Sequence, residues 1–285
     1  MILDTFNLDG KVAIVTGGGT NLGKAMCHAL ARAGADVVVA ARTPGPLDET
    51  VDEVKAFGRR ALAVPTDITD SNQVNDLIEK TIAEFGALDI LVNNAGIAKG
   101  IEPSDRDETP WQPGPIWELT DEMWHQALDI NLTGTFYCCR AAAKYMIAQK
   151  GGKVINISSS AGLRAAKHLF TYCSAKAGVI MLTKTLAYTW AKYKINVNCI
   201  APGVFRTVEM DQKAVDFHSR MIPMGRPGEP EEIGPLAVFL ASHASDYVTG
   251  ECFIIDGARS MAYGPINYTP VIPMSDTPSG KERGI

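Results

Sequence analysis

Tyr172 and Lys176 stand four residues apart in the segment Tyr-Cys-Ser-Ala-Lys. On a helix that spacing sets both side chains on one face, one turn from each other. A free phenol ionises only near pH ~10, and a neighbouring ammonium favours the phenolate and lowers that value. The pair therefore suits acid-base work at neutral pH. The same spacing also fits two exposed residues on a solvated face, so its meaning depends on what surrounds it.

Two further groups of residues surround it. Ser158, Ser159 and Ser160 end an apolar run, Ser159 thirteen residues ahead of Tyr172, and each hydroxyl is a candidate to bond a substrate oxygen. Near the N-terminus, Thr16-Gly17-Gly18-Gly19-Thr20-Asn21-Leu22-Gly23 follows a strand-like run and opens a helical pattern. Small residues there let backbone amides and the helix dipole approach a pyrophosphate. Nucleotide folds of this kind place an acid about 20 residues further on to grip a ribose hydroxyl. Here that place reads Ala40-Ala41-Arg42-Thr43, and an arginine without a carboxylate beside it fits a 2′-phosphate, favouring NADP over NAD. The alternative is an Arg42 that simply ends a strand in solvent.

Seven apolar runs of strand length, rich in Val and Ile, carry these residues: 11–16, 36–41, 61–65, 88–93, 153–157, 195–200 and 252–256. Between them lie stretches with helical periodicity, such as Val74, Leu77, Ile78, Ile82 and Phe85. Strand, helix, strand repeated along the chain predicts an α/β fold: a single doubly wound, Rossmann-type domain with a seven-stranded parallel sheet flanked by helices on both faces. Asp70 or Ser71 is the expected cap of the third helix, and Gly34, Gly58 and Gly86 close three helical patterns. Residues 1–259 are read as this domain. Within it, 98–117 holds four prolines and two tryptophans and reads as an inserted loop or lid. Residues 260–285 turn to Pro, Tyr, Ser and Gly and read as a C-terminal extension.

Composition narrows the function classes. The 285 residues are 46% hydrophobic and 21% charged, as globular chains are, and the net charge of −5 is the wrong sign for a binder of phosphate backbones. No nucleic acid is expected as a partner. The N-terminus lacks a basic flank and an apolar run, and no apolar stretch reaches the length of a spanning helix, so the reading is a cytoplasmic protein without a membrane partner. Cys27, Cys138, Cys139, Cys173, Cys199 and Cys252 form no CxxC pair and read as reduced core thiols, and no metal site is expected.

Taken in order, six motifs resemble those of the short-chain dehydrogenase/reductase family over roughly residues 8–258. They are TGGGTNLG at 16–23, NNAG at 93–96, Asn131 in DINLTGTF, ISSSAG at 157–162, YCSAK at 172–176 and NCIAPGVFRT at 198–207. The resemblance implies a catalytic group of Asn131, Ser159, Tyr172 and Lys176. It selects Ser159 among the three serines because Gly162 completes a Ser-x-x-Gly pattern. Asn131, which begins an apolar helix in this reading, is implied to hold a helix turn open so that water links the lysine to solvent. By spacing alone it reads as a helix cap.

The resemblance further implies a cofactor against Gly17, Gly19, Thr20, Asn21, Leu22 and Gly23, with Arg42 at the 2′-phosphate and Asp67 and Ile68 towards the adenine. Asn94, Ala95 and Gly96 line the same pocket, as do Pro202, Gly203, Val204 and Thr207, together with Tyr172 and Lys176. The implied activity is NAD(P)-dependent interconversion of a small secondary alcohol and a ketone, with tyrosine as acid and base. The same residues would serve a 3-oxoacyl-thioester reductase. A cofactor-sensing scaffold is the reading outside catalysis, and an intact tetrad argues against it.

Some positions depart from the family pattern. Asn21 replaces a usual glycine, which asparagine's tolerance of left-handed backbone allows. Thr20 stands where NADP-preferring relatives often carry a basic residue, and Asp256-Gly257-Ala258 where a second glycine is usual. Residues 207–226 correspond to substrate-binding helices, with Met210, Phe217, Met221 and Met224 as apolar lining. Arg164, Lys167, His168 and Arg206 fall near the expected pocket mouth. Relatives pair as homotetramers or homodimers through the helices carrying Asn131 and Tyr172, which puts Tyr137, Cys138, Ala141 to Ala143, Met146, Leu182, Leu186 and Trp190 on the expected contact.

Overall fold

The structure, a computed structural model, describes residues 1–97, 115–167 and 169–261. Seven parallel strands form one sheet in the order β3-β2-β1-β4-β5-β6-β7. They are β1 Val12–Thr16, β2 Asp36–Ala41, β3 Ala61–Pro65, β4 Ile90–Asn93, β5 Gly152–Ile157, β6 Ile195–Pro202 and β7 Cys252–Ile255. The order reverses between β1 and β4, and such a switch point opens a crevice at the carboxyl ends of the strands.

The β-branched runs become strands because both of their faces are covered. Ala13, Val15, Val37 and Val39 point into one core with Met26, Leu30 and Leu240, while Ile14, Val38 and Leu91 point into the other with Leu77, Met146 and Trp190. Helices α1 Asn21–Arg32, α2 Pro44–Ala56 and α8 Gly234–Ala241 cover the first face. Helices α3 Ser71–Phe85, α5 Gly134–Gln149 and α6 Phe170–Trp190 cover the second. α4 Asp121–Leu128 leads into α5, and α7 Gln212–Ser219 lies beyond β6.

Local signals decide the ends. Asp70 caps α3 by accepting from the Asn72 amide at 2.8 Å, and Gly86 ends it at φ +80°. β4 begins at Ile90, two residues later than its apolar run, where the Val12 amide is taken by the Asp89 carboxylate (3.0 Å), which also accepts from Lys11 Nζ (3.2 Å), instead of by a main-chain carbonyl.

Several expectations change. Residues 207–226 hold a single eight-residue helix, α7, followed by turns. Of the 98–117 loop only Pro115, Ile116 and Trp117 are described, the last two in a single 3₁₀ turn; 98–114 and 262–285 lie outside the described residues. Cys138, Ala141, Ala142, Met146 and Trp190 are core residues packed towards the sheet, so they cannot form an outer contact face. The large apolar residues these two helices expose are Phe136, Met181 and Tyr188. Cys173 and Cys252 are half-buried, whereas the other four thiols are buried. Among the described residues no helix is long and apolar enough to cross a membrane, and no group of His, Cys, Asp and Glu could hold a metal ion.

Candidate active site at the switch point

The glycine turn between β1 and α1 is a cradle because side chains have no room in it. Gly17 sits at φ +65°, and a Cβ there would lie 2.8 Å from Asn94 Nδ2 and 2.9 Å from Ala95 Cα. Asn94 fixes that approach, donating to the carbonyls of Thr16 (3.0 Å) and Gly17 (3.2 Å). Asn21 opens α1 at φ +47° and accepts from the Val208 amide at 3.4 Å, tying the turn to the segment after β6. Gly19 differs from its neighbours: it is buried against Pro46 of α2 and does not line the cleft.

The cleft itself, about 390 Å³, is lined by Gly17, Thr20, Asn21, Leu22 and Gly23 on one side and Asn94, Ala95 and Gly96 on another. Asn131, Ser159, Tyr172 and Lys176 meet there, with Pro202, Gly203 and Thr207 from the end of β6. A smaller extension of about 180 Å³ shares Gly17, Ala95 and Gly96 and adds Arg42, Asp67 and Ile68. Arg42 is exposed there and has no ion pair among the described residues. A third chamber, about 840 Å³, shares Ser159, Tyr172 and Gly203 and adds Val204, Phe217 and Met221. Met210 and Met224 do not line it, and Arg206 is turned away to pair with Glu229 at 3.5 Å. His168 lies outside the described residues.

Asn131 is not a helix cap. It lies within a continuous helical stretch at a π turn, Asp129–Thr133, between α4 and α5. Such a turn widens the helix and frees a carbonyl. The Asn131 amide donates to the carbonyls of Ala127 and Ile97 (both 3.1 Å) and accepts from the Ile97 amide (3.1 Å). Buried side-chain bonds to both backbone groups of Ile97 pin the segment after β4 beside the site. Nothing in the sequence pointed to Ile97, since it contributes only main chain.

Lys176 and Tyr172 share one face of α6. Lys176 Nζ lies 5.7 Å from the Tyr172 ring centre and donates to the Ile157 carbonyl at 3.0 Å. Burial pushes the lysine down to about 8. Burial also holds the Tyr172 phenol above its ordinary value, a contact with Ser159 pulling the other way. The expected lowering of the phenol by the lysine is absent from the protein alone: burial dominates the phenol, and a lysine held to about 8 has given up its charge before the phenol ionises.

The three serines separate by geometry. Ser158 is buried and donates to the Lys176 carbonyl at 2.7 Å, which anchors α6 to β5. Ser160 faces only the outer chamber. Ser159 accepts from the Ala161 amide at 3.1 Å, stands against Tyr172, and lines both cleft and chamber.

Beneath the site runs a ladder that periodicity did not single out. Asn93 Nδ2 donates to Asn156 Oδ1 (2.8 Å), and Asn156 Nδ2 donates to Thr183 Oγ1 (2.9 Å), joining β4, β5 and α6 in the core. An asparagine inside the apolar run Val-Ile-Asn-Ile was the available signal.

These residues fit a dinucleotide. The side-chain-free cradle ends at a helix N-terminus, an unpaired guanidinium stands at the end of β2, and a lysine and a tyrosine face the cleft at the other end.

Comparison with known proteins gives the same picture over nearly the whole chain. The family model described as short chain dehydrogenase matches residues 11–218. A 2-dehydro-3-deoxy-D-gluconate 5-dehydrogenase of Escherichia coli is 40% identical over 264 residues, covering 90% of this chain and 98% of that one. A 3-oxoacyl-[acyl-carrier-protein] reductase of Synechocystis is 38% identical over 256 residues, covering 89% and 98%. Among solved structures, a gluconate 5-dehydrogenase from Burkholderia cenocepacia in complex with NADP and tartrate superposes with a TM-score of 0.82 at 34% identity, covering 92% of this chain and all of that one.

Proposed function

The chain belongs to the short-chain dehydrogenase family, an NAD(P)-dependent enzyme family, and on that premise we propose that it interconverts a small secondary alcohol and a ketone with NADP as the preferred cofactor. The observation that carries this reading is the convergence of Ser159, Tyr172, Lys176 and Asn131 on one cleft whose other end is the glycine cradle.

When bound, the nicotinamide supplies the hydride; this chain's residues hold the reactants and move the proton. Gly17 and the N-terminus of α1 would hold the pyrophosphate, and Arg42 the 2′-phosphate. Thr20 and Asn21 would flank the same turn, with Leu22 and Gly23 behind it, Asp67 and Ile68 at the adenine side, and Asn94 to Gly96 with Pro202, Gly203 and Thr207 along the walls, while Val204 faces the outer chamber instead. Ser159 bonds the substrate oxygen. Tyr172 gives that oxygen its proton in reduction and removes it in oxidation. Lys176, held to about 8, is poised to share a proton near neutrality, and a positive nicotinamide beside the phenol would offset the burial that now keeps it protonated. Asn131 at the π turn stands with Lys176 beside Gly96 and holds the Ile97 backbone at the edge of the site.

A 3-oxoacyl-thioester reductase is the second reading, favoured by the Synechocystis relative. Both readings use the same residues, and with either we propose a homotetramer or homodimer. The test is reduction of a panel of ketones by NADPH carrying deuterium at C4. Deuterium on the new carbinol carbon is expected; NADPH consumption without it would contradict hydride transfer to a ketone.

A further inference from the structure

The chamber that opens on Ser159 and Tyr172 has an uneven wall. Ala161, Ala165, Ala166, Leu169, Phe217 and Met221 make one part of it apolar. Arg164, Lys167, Arg220 and Arg259 supply four cations, and no carboxylate lines it among the described residues. Like charges gathered without counter-ions repel, so a wall of this kind carries a standing cost unless something anionic enters.

Arg259 shows that cost most clearly. It is the half-buried member of the set, and burial, followed by repulsion from Arg164, pushes its guanidinium below its ordinary value. It has no ion pair within 4 Å among the described residues. Asp256, the acid that acts on it, is already engaged by the Ser260 amide at 2.7 Å. Arg164 donates to the Arg259 carbonyl at 2.8 Å, which holds its guanidinium close enough to repel that of Arg259 in the same chamber. The next residue, Ser260, lines the chamber too, and its hydroxyl is buried with no hydrogen-bond partner. A buried hydroxyl left unpaired is rare unless a ligand completes it.

We propose that this chamber binds the carboxylate end of an oxo-acid or hydroxy-acid substrate, with Arg259 as the main anchor, Arg164 and Ser260 beside it, and the reacting carbon held at Ser159 and Tyr172. A guanidinium fork matches a carboxylate in two parallel bonds, which fixes the substrate's direction as well as its charge. The apolar wall takes the intervening carbons. The assignment rests on the reading of Ser159 and Tyr172 as the reacting pair, because the chamber is given to the substrate by opening on them.

The test pairs acids with neutral analogues. Reduction by NADPH of 4-oxopentanoate and 5-oxohexanoate is compared with that of their methyl esters, in the wild type and in Arg259→Met and Arg164→Met. For one chain length or both, kcat/KM for the acid should exceed that of the ester by tenfold or more. Arg259→Met should collapse that ratio towards one through KM, and Arg164→Met should reduce it in part. In parallel, succinate and succinamide are titrated into the NADP-loaded proteins and thermal unfolding is followed. Succinate alone should raise the wild-type midpoint, and Arg259→Met should remove the rise. Equal turnover of acids and esters would overturn the carboxylate site while leaving the oxidoreductase reading intact. If no ketone is turned over, the oxidoreductase reading suffers and the succinate titration still decides: equal shifts, or none, overturn the site. Preference for 3-oxobutanoyl coenzyme A over every free acid would also overturn it, in favour of a carrier-borne substrate.

Discussion

Asn131 Oδ1 and Lys176 Nζ border one empty space above Gly96: a Cβ on that glycine would stand 2.9 Å from the first and 3.1 Å from the second. The glycine of the NNAG motif is thus required by two side chains of the site at once. Gly96→Ala should displace one or both by about a few tenths of an ångström, and since a misplacement of about 1 Å at reacting groups costs about a hundredfold, a loss of up to that size follows. The expected outcome is that kcat loss with unfolding temperature little changed. Equal loss in kcat and in stability would mean that Gly96 serves the fold instead.

Arg42 is the one strong candidate for a 2′-phosphate, and Thr20 offers no positive charge to assist it. A hydrogen bond to a charged group contributes about 1.5 to 3 kcal/mol, roughly ten- to a hundredfold in affinity. Fluorescence titration of Arg42→Ala should show NADPH binding weakened by that factor and NADH binding nearly unchanged. Equal weakening of both would remove Arg42 from the discrimination.

Lys176 is buried and pushed down from 10.5 to about 8. Between those values the unfolded lysine keeps a proton that the folded one has released, so raising pH through this window favours the folded state. The burden below pH 8 is on the order of 3 kcal/mol. Lys176→Met should therefore be inactive yet no less stable than the wild type at pH 7. Urea unfolding from pH 7.5 to 10 should show the wild type gaining on the variant as pH rises; a constant difference would contradict the buried, depressed lysine.

The Asn93, Asn156 and Thr183 ladder ties the helix of Tyr172 to the sheet. Asn156→Ala leaves Asn93 only the Cys139 sulfur (3.2 Å) to donate to and strips Thr183 of a donor while its hydroxyl still donates to the Val179 carbonyl (2.8 Å), a shortfall of about 1 to 3 kcal/mol for a buried polar group. Denaturation should register a loss of that size. Asn156→Asp, which keeps an acceptor for Asn93 but loses the donor to Thr183, should fall between. A neutral Asn156→Ala would mean that water replaces the ladder.

Much of the fold was legible because runs such as 36–41 are apolar on both faces, which only a sheet covered twice accommodates. Glycines 17 and 86 marked turns through their backbone freedom, and spacing alone set Tyr172 over Lys176. What could not be read depends on the third dimension. Asn131 has the composition of a cap, yet it lies mid-helix because its amide answers the backbone of Ile97, thirty-four positions away. The phenol's direction of shift was missed because burial cannot be read from a four-residue spacing. The apolar residues of α5 were assigned to an outer face because periodicity gives a stripe without saying which neighbour it meets. Arg259 went unnoticed because it follows the last strand at a distance of eighty-seven residues from Tyr172, and only the sheet's carboxyl edge brings the two to one chamber.

The central claim is that Tyr172 transfers the proton while the cofactor exchanges a hydride. It is tested most directly by Tyr172→Phe, assayed for NADPH-dependent reduction of whichever ketone the wild type turns over and for NADPH affinity in the same preparation. Removing a positioned acid costs about 10² to 10⁴ in rate. The account predicts a kcat loss in that range with NADPH affinity within about twofold of the wild type. A variant that keeps a tenth or more of the wild-type kcat would contradict it.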